Sequence, residues 1–161
     1  NYPSNWRRLM TLHTALLKTE ETKISSEKAK KFILSKENGA ESIFIGRVRN
    51  ENVGKKVIAV TYDAHDQAVI KSFQSICKDA KNKFDKNAKI FLEHAKGHVP
   101  VGEISILIAV SSGHREEAFK ICRYILEEIK HQSPIWKKEH YVDGKDEWLP
   151  GHSLRPKEEV K

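Results

Sequence analysis

The sequence predicts a single α+β domain, and three observations carry that reading. Four segments place apolar residues at helical spacing, over 6–17, 29–33, 69–84 and 118–129. Shorter runs of strand composition lie between and after them, at 40–49, 57–62, 90–94, 103–110 and 135–140. No low-complexity linker interrupts the 161 residues, a length that suits one domain with a real core.

Taken in order, Trp6, Leu9, Met10, Leu16 and Leu17 predict an amphipathic helix over 6–17, held at the surface by Arg7, Arg8 and His13. Residues 1–21 therefore read as a helical N-terminal extension. A short strand is expected at 22–24. Ser25 or Ser26 then caps a helix through Ala29, Phe32 and Ile33, which Asn38-Gly39 stops. In the strand 40–49, Ile43 and Ile45 face one side and Phe44 the other, while Gly46 permits a close backbone approach. Arg47 and Arg49 share a side. After a polar loop at 50–56, the strand 57–62 is expected to pair with the first.

The segment 67–84 is a helix with Val69, Phe73, Ile76, Ala80 and Phe84 inward. Two strands, 90–94 and 103–110, are joined through Gly97, Pro100 and Gly102, and the second is apolar enough to be central. His94 and His98 are four apart, but Gly97 breaks the helical geometry a shared metal would need, so no metal site is expected.

The stretch 111–140 organises the rest. Ser111, Ser112 and Gly113 can cap a helix, and Glu116 and Glu117 sit in its first turn, where the dipole favours carboxylates. Ala118, Cys122, Ile125 and Ile129, with Phe119 and Leu126 beside them, form the apolar stripe. Pro134 ends the helix by 131–132, leaving Lys130 in its last turn. A strand follows in which Ile135, Lys137 and Glu139 alternate with Trp136, Lys138 and His140. Beyond it come a turn at Asp143-Gly144, a short strand to Trp148 and a flexible tail over 150–161. Trp6, Trp136 and Trp148 sit in no basic-aromatic repeat, so core or interface packing is their expected use.

With 29 Lys+Arg against 22 Asp+Glu the formal charge is +7, which favours an anionic partner: a nucleic acid, a phosphorylated small molecule or an acidic protein surface. Charge does not choose among them. No run approaches the roughly 18 apolar residues of a membrane span, and no signal-type apolar core opens the chain, so a cytoplasmic protein is expected. Cys77 and Cys122 fall on apolar helix faces and read as buried free thiols.

A helix that turns over a proline and returns as a strand can bring Lys130 and Lys137 side by side. Two ammonium groups so placed repel, and one then deprotonates more easily, giving a nucleophile or general base. Solvated lysines complementing a helix dipole are the alternative, and spacing alone leaves both open.

Three stretches together resemble the large, catalytic subunit family of molybdopterin synthase: GAESIFIGRVRNENVGKKV, VGEISILIAVSSGHREEAF and IKHQSPIWKKE. The resemblance covers 22–149, which it makes the catalytic domain. It implies an α/β hammerhead-type domain with an additional small antiparallel sheet. It also implies a homodimer carrying two small ubiquitin-like sulfur carriers, hence a heterotetramer. The implied reaction moves two sulfurs from the carrier's C-terminal Gly-Gly thiocarboxylate to cyclic pyranopterin monophosphate, forming the molybdopterin dithiolene. Neither a metal nor another cofactor is implied.

Position by position, the resemblance makes Lys130 and Lys137 catalytic. Arg49, His114, Arg115, Phe44 and Lys138 become substrate-binding. Planar guanidinium groups and a helix N-terminus suit a phosphate. Where the family often has His-Arg, this chain has His94-Ala95-Lys96, so a cation is displaced by one position. His65 and Gln67 replace an aromatic and a methionine. His152 and Arg155 are candidates for a basic tail residue given to the neighbouring subunit. The rival readings are a basic nucleic-acid-binding module and a family member that docks the carrier without turnover.

Overall fold

The computed structural model describes residues 10–150. The expectations at Trp6, His152 and Arg155 and for the tail fall outside the described residues.

The elements run β1 (Leu12–Lys18), α1 (Ser26–Ile33), β2 (Ala40–Arg47), β3 (Glu51–Asn52), β4 (Lys55–Ala64), α2 (Asp66–Lys83), β5 (Lys89–Pro100), β6 (Ile104–Ser112), α3 (Arg115–Gln132), β7 (Ile135–Tyr141) and β8 (Asp146–Trp148). The sheet order is β2-β6-β5-β4-β7-β8, with β1 added beside β5 and β3 beside β4. The α+β class is borne out, with a largely antiparallel sheet and, among the described residues, three helices.

Strand β5 organises this arrangement. Its first half lies between β6 and a parallel β1, and its last four residues pair with β4 instead. The change of neighbours falls at Gly97, whose φ is 112° and where any Cβ would come within 2.5 Å of Thr19 Oγ1, so the position admits glycine alone. The expected end of this strand at 94 is thus corrected, because the chain continues through Gly97 as strand rather than turning.

Alternation along β5 and β6 divides the core. Ile90, Leu92, Ile106, Ile108 and Val110 face α2 and α3, meeting Phe73, Ile76, Ile121 and Ile125. Phe91, Leu107 and Ala109 face the other way, under Ala29 and Ile33 of α1. Phe73 is fully buried, a contribution of about 1.5–3 kcal/mol from removing its ring from water. A smaller core, with Val57, Val60, Val99 and Tyr141, underlies the β4–β7 sheet. Ser25 caps α1 by accepting from the Lys28 N–H. Cys77 and Cys122 are free and buried, and burial pushes the Cys77 thiol up to about 12.

Several expectations are corrected. Residues 12–18 form a strand, not a surface helix: Leu12 and Leu16 are four apart, which fits either period, and pairing with β5 decides. No strand forms at 22–24. β2 pairs with β6, not with β4, whose neighbours are β5 and β7. The 50–56 loop is a tight β3–β4 hairpin with Val53 and Gly54 both at positive φ. Phe119 lies off the stripe and is exposed, while Ile121 is buried in the core. Of the two packing uses expected for the tryptophans, core or interface, Trp136 and Trp148 do not take the first, since both are exposed; the Lys138 ammonium lies 5.6 Å from the Trp148 ring centroid.

Candidate functional site

The bend between α3 and β7 is pinned from the side. The Ser133 N–H closes the helix on the Ile129 carbonyl, the Ser133 hydroxyl bonds Ser72 of α2 at 2.8 Å, and the His65 N–H donates to the Pro134 carbonyl. β7 then runs back along β4, with Lys137 opposite Tyr62 and Glu139 opposite Val60. The local sequence sets the stop, and α2 fixes its direction.

Two adjoining clefts result. One, of about 140 Å³, is lined by Lys130, Lys137, Tyr62, His94, Ser105 and Trp136 among others. The second, of about 90 Å³, is lined by Arg49, Arg47, Asn52, Glu139, Lys137 and Tyr62 among others. Lys137 and Tyr62 belong to both, so the predicted lysine pair and Arg49 share one continuous region.

The other predicted residues lie elsewhere. His114 and Arg115 open α3 and Lys130 nearly closes it, so fifteen residues of helix hold Arg115 and Lys130 about 22 Å apart. Within one chain they cannot share a pocket. His114 is the N-cap residue but its side chain makes no capping bond; both side chains are exposed. Phe44 is half-exposed on β2, two residues before Gly46, which pairs with the cleft residue Ile106. Lys138 alternates away from Lys137 towards Trp148 and lines neither cleft.

Three residues given no role in the sequence reading belong to the site. Glu139 is 4% exposed and accepts from Asn52 Nδ2 at 2.8 Å, putting a carboxylate beside Arg49 and Lys137. The strand alternation that places it on the face of Lys137 was the available signal. Tyr62 carried no spacing signal, and the spacing of His94 to His98 pointed only to a metal site that is not expected. Burial raises the Tyr62 phenol, and burial lowers His94 to about 4, so its imidazole is neutral.

The departures from the family pattern also find places. His65 caps α2, its Nδ1 accepting from the Ala68 N–H. Ala95 lines a third cleft, of about 260 Å³, with Lys23, Glu103 and Arg47, the last shared with the Arg49 cleft. There Lys23 pairs with Glu103 at 3.0 Å and Arg47 donates to the Gly102 carbonyl. Lys96 instead meets Asp66 at 2.5 Å at the start of α2, and that hydrogen bond holds the Asp66 carboxyl below its usual range. Neighbouring strand residues point to opposite faces, so a cation displaced by one position changes sides.

A family model described as the MoaE protein matches residues 19–132. A molybdopterin synthase catalytic subunit from Synechococcus elongatus is 41% identical over 116 residues, 72% of this chain and 70% of that relative. Its counterpart from Dictyostelium discoideum is 42% identical over 123 residues, 76% and 78% of the two chains. The crystal structure of molybdopterin synthase from Staphylococcus aureus aligns with a TM-score of 0.77 at 28% identity, covering 87% of this chain and 97% of that one. A Helicobacter pylori structure, a complex of subunits 1 and 2 of molybdopterin-converting factor, shares the fold with a TM-score of 0.65 at 23% identity, covering 87% and 88%. Taken with the three sequence stretches and the lysine cleft, these matches show that the chain belongs to the MoaE family, the catalytic subunits of molybdopterin synthase.

Proposed function

We propose that this chain transfers sulfur from the C-terminal thiocarboxylate of a small ubiquitin-like carrier to cyclic pyranopterin monophosphate, two transfers giving the molybdopterin dithiolene. The observation that carries the proposal is the junction of clefts at Lys137, with Lys130 on one side and Arg49 on the other. Sulfur attack, loss of water and opening of a cyclic phosphate all need protons moved, which Lys130 and Lys137 supply. Arg49 offers a planar donor pair to the phosphate. The carrier's glycine tail enters the Lys130 cleft, and the two-subunit Helicobacter pylori complex supports a small-subunit partner of this kind.

His114 and Arg115 reach a substrate only through a second copy, because α3 holds them far from Lys130 in their own chain. A homodimer that sets the start of one α3 against the other chain's lysine cleft completes the site. With one carrier per cleft, the assembly is a heterotetramer.

The test is to incubate the protein with thiocarboxylated carrier and precursor and to measure the pterin product. Product should form, and Lys130→Ala should abolish it without lowering the melting temperature. Full activity in that variant removes Lys130 from the chemistry; carrier binding without product identifies a docking subunit that does not turn over.

A further inference from the structure

The cleft beside Lys130 contains a group that sulfur transfer by the lysines does not use. His94 lies in the middle of β5, is 7% exposed, and lines the cleft together with Lys130 and Lys137. Its ring is fixed: Tyr62 packs edge-on at 5.1 Å between centroids, Phe73 is tilted at 6.5 Å, and Nδ1 lies 2.8 Å from the Ala95 carbonyl. A carbonyl only accepts, so Nδ1 carries the proton and Nε2 is the ring's acceptor. Burial disfavours a second proton, so the acceptor persists beside two lysines.

The polar groups around it are otherwise committed or of the opposite kind. Lys130 and Lys137 are donors only. Ser105 bonds Tyr62 and the Gly46 carbonyl, and Ser133 bonds Ser72. The remaining wall is mostly apolar, including Ile106, Leu126 and Ile129. At about 140 Å³ the space is well below the ~300–1,000 Å³ of sites that enclose drug-sized ligands, and suits a chain end without side chains. Such an end brings carbonyl or thiocarboxylate acceptors, which the lysines meet, and peptide N–H donors, which lose water on entry and need an acceptor.

We propose, on the carrier-docking reading above, that His94 Nε2 accepts a hydrogen bond from a backbone N–H of the glycine pair at the carrier's C-terminus. His94 is then a positioning residue for the sulfur donor: it sets the depth and rotation of the tail, and the lysines act on what it presents.

Calorimetric titration of the small subunit, full-length and lacking its last two glycines, tests this. The proteins are wild type, His94→Phe, which keeps ring packing without the acceptor, and His94→Gln, which restores an acceptor at similar reach. His94→Phe should weaken full-length carrier binding about 10-fold and leave the truncated carrier unchanged, with His94→Gln recovering much of the loss. Unchanged full-length binding in His94→Phe overturns the proposal, as does equal weakening toward both carriers, which marks a structural role. If wild type binds both carriers equally, the tail-docking reading itself fails.

Discussion

Lys137 stands directly opposite Tyr62 in the β4–β7 ladder, and these two residues line both the cleft that contains Lys130 and the cleft that contains Arg49. Lys130 and Arg49 thereby flank one residue pair, though one comes from the last turn of a helix and the other from just beyond a distant strand.

Replacing either lysine is expected to affect chemistry more than folding. Lys130→Ala and Lys137→Ala should each lower the single-turnover rate by about 100-fold or more, the range for loss of a positioned acid or base. Lys130 is exposed in the last turn of α3, so its variant's thermal midpoint should match wild type. A rate within a few-fold of wild type would place proton transfer elsewhere.

The separation of Arg115 from Lys130 predicts complementation between subunits. Arg115→Ala and Lys130→Ala homodimers should each be inactive. A mixed population should recover about a quarter of wild-type activity, because half of the dimers are hybrids with one intact site. No recovery on mixing would argue against a site shared between two copies.

β1 predicts a dependence on residues preceding the family match. A chain beginning at Lys18 loses the parallel partner of β5 and uncovers Ile90, Leu92 and His94 along an unpaired edge. Its melting temperature should fall by several degrees, with concentration-dependent aggregation seen by light scattering. An unchanged midpoint would make β1 an ornament of the fold.

His94 predicts an acid sensitivity whose sign follows from its burial. Its folded-state value is about 4 against 6.5 for a free imidazole, so below pH 6.5 the unfolded chain takes up a proton that the folded chain refuses. This contribution to stability is present in full above pH 6.5 and is lost as pH falls toward 4, amounting to about 3 kcal/mol. Urea denaturation from pH 7 to 4 should therefore show a shallower decline in His94→Phe than in wild type. Parallel curves would mean that His94 protonates without resisting burial.

Much of the site was legible because its signals are local. Pro134 ends a helix whatever surrounds it, Lys130 is placed by counting back, and alternation after the bend puts Lys137 and Glu139 on one face. His94 was marked only by its spacing to His98 and by the family's His-Arg position, neither of which gives it a place beside Lys130, since a histidine in an apolar strand gains its meaning from which cleft the strand borders. The N-terminal stretch reads as helix because Trp6, Leu9 and Met10 are three and four apart with Leu16 and Leu17 seven further on, and only pairing along β5 makes 12–18 a strand.

The sequence by itself determined α1, α2 and α3, most of the strands, the proline bend and the family, since these rest on short-range sterics, periodicity and contiguous motifs. Only the tertiary structure decided that β2 joins β6, that β1 lies along β5, and that Lys137 stands opposite Tyr62. Those relations depend on which strand edges and apolar faces find each other across tens of residues, and spacing along the chain does not encode that choice.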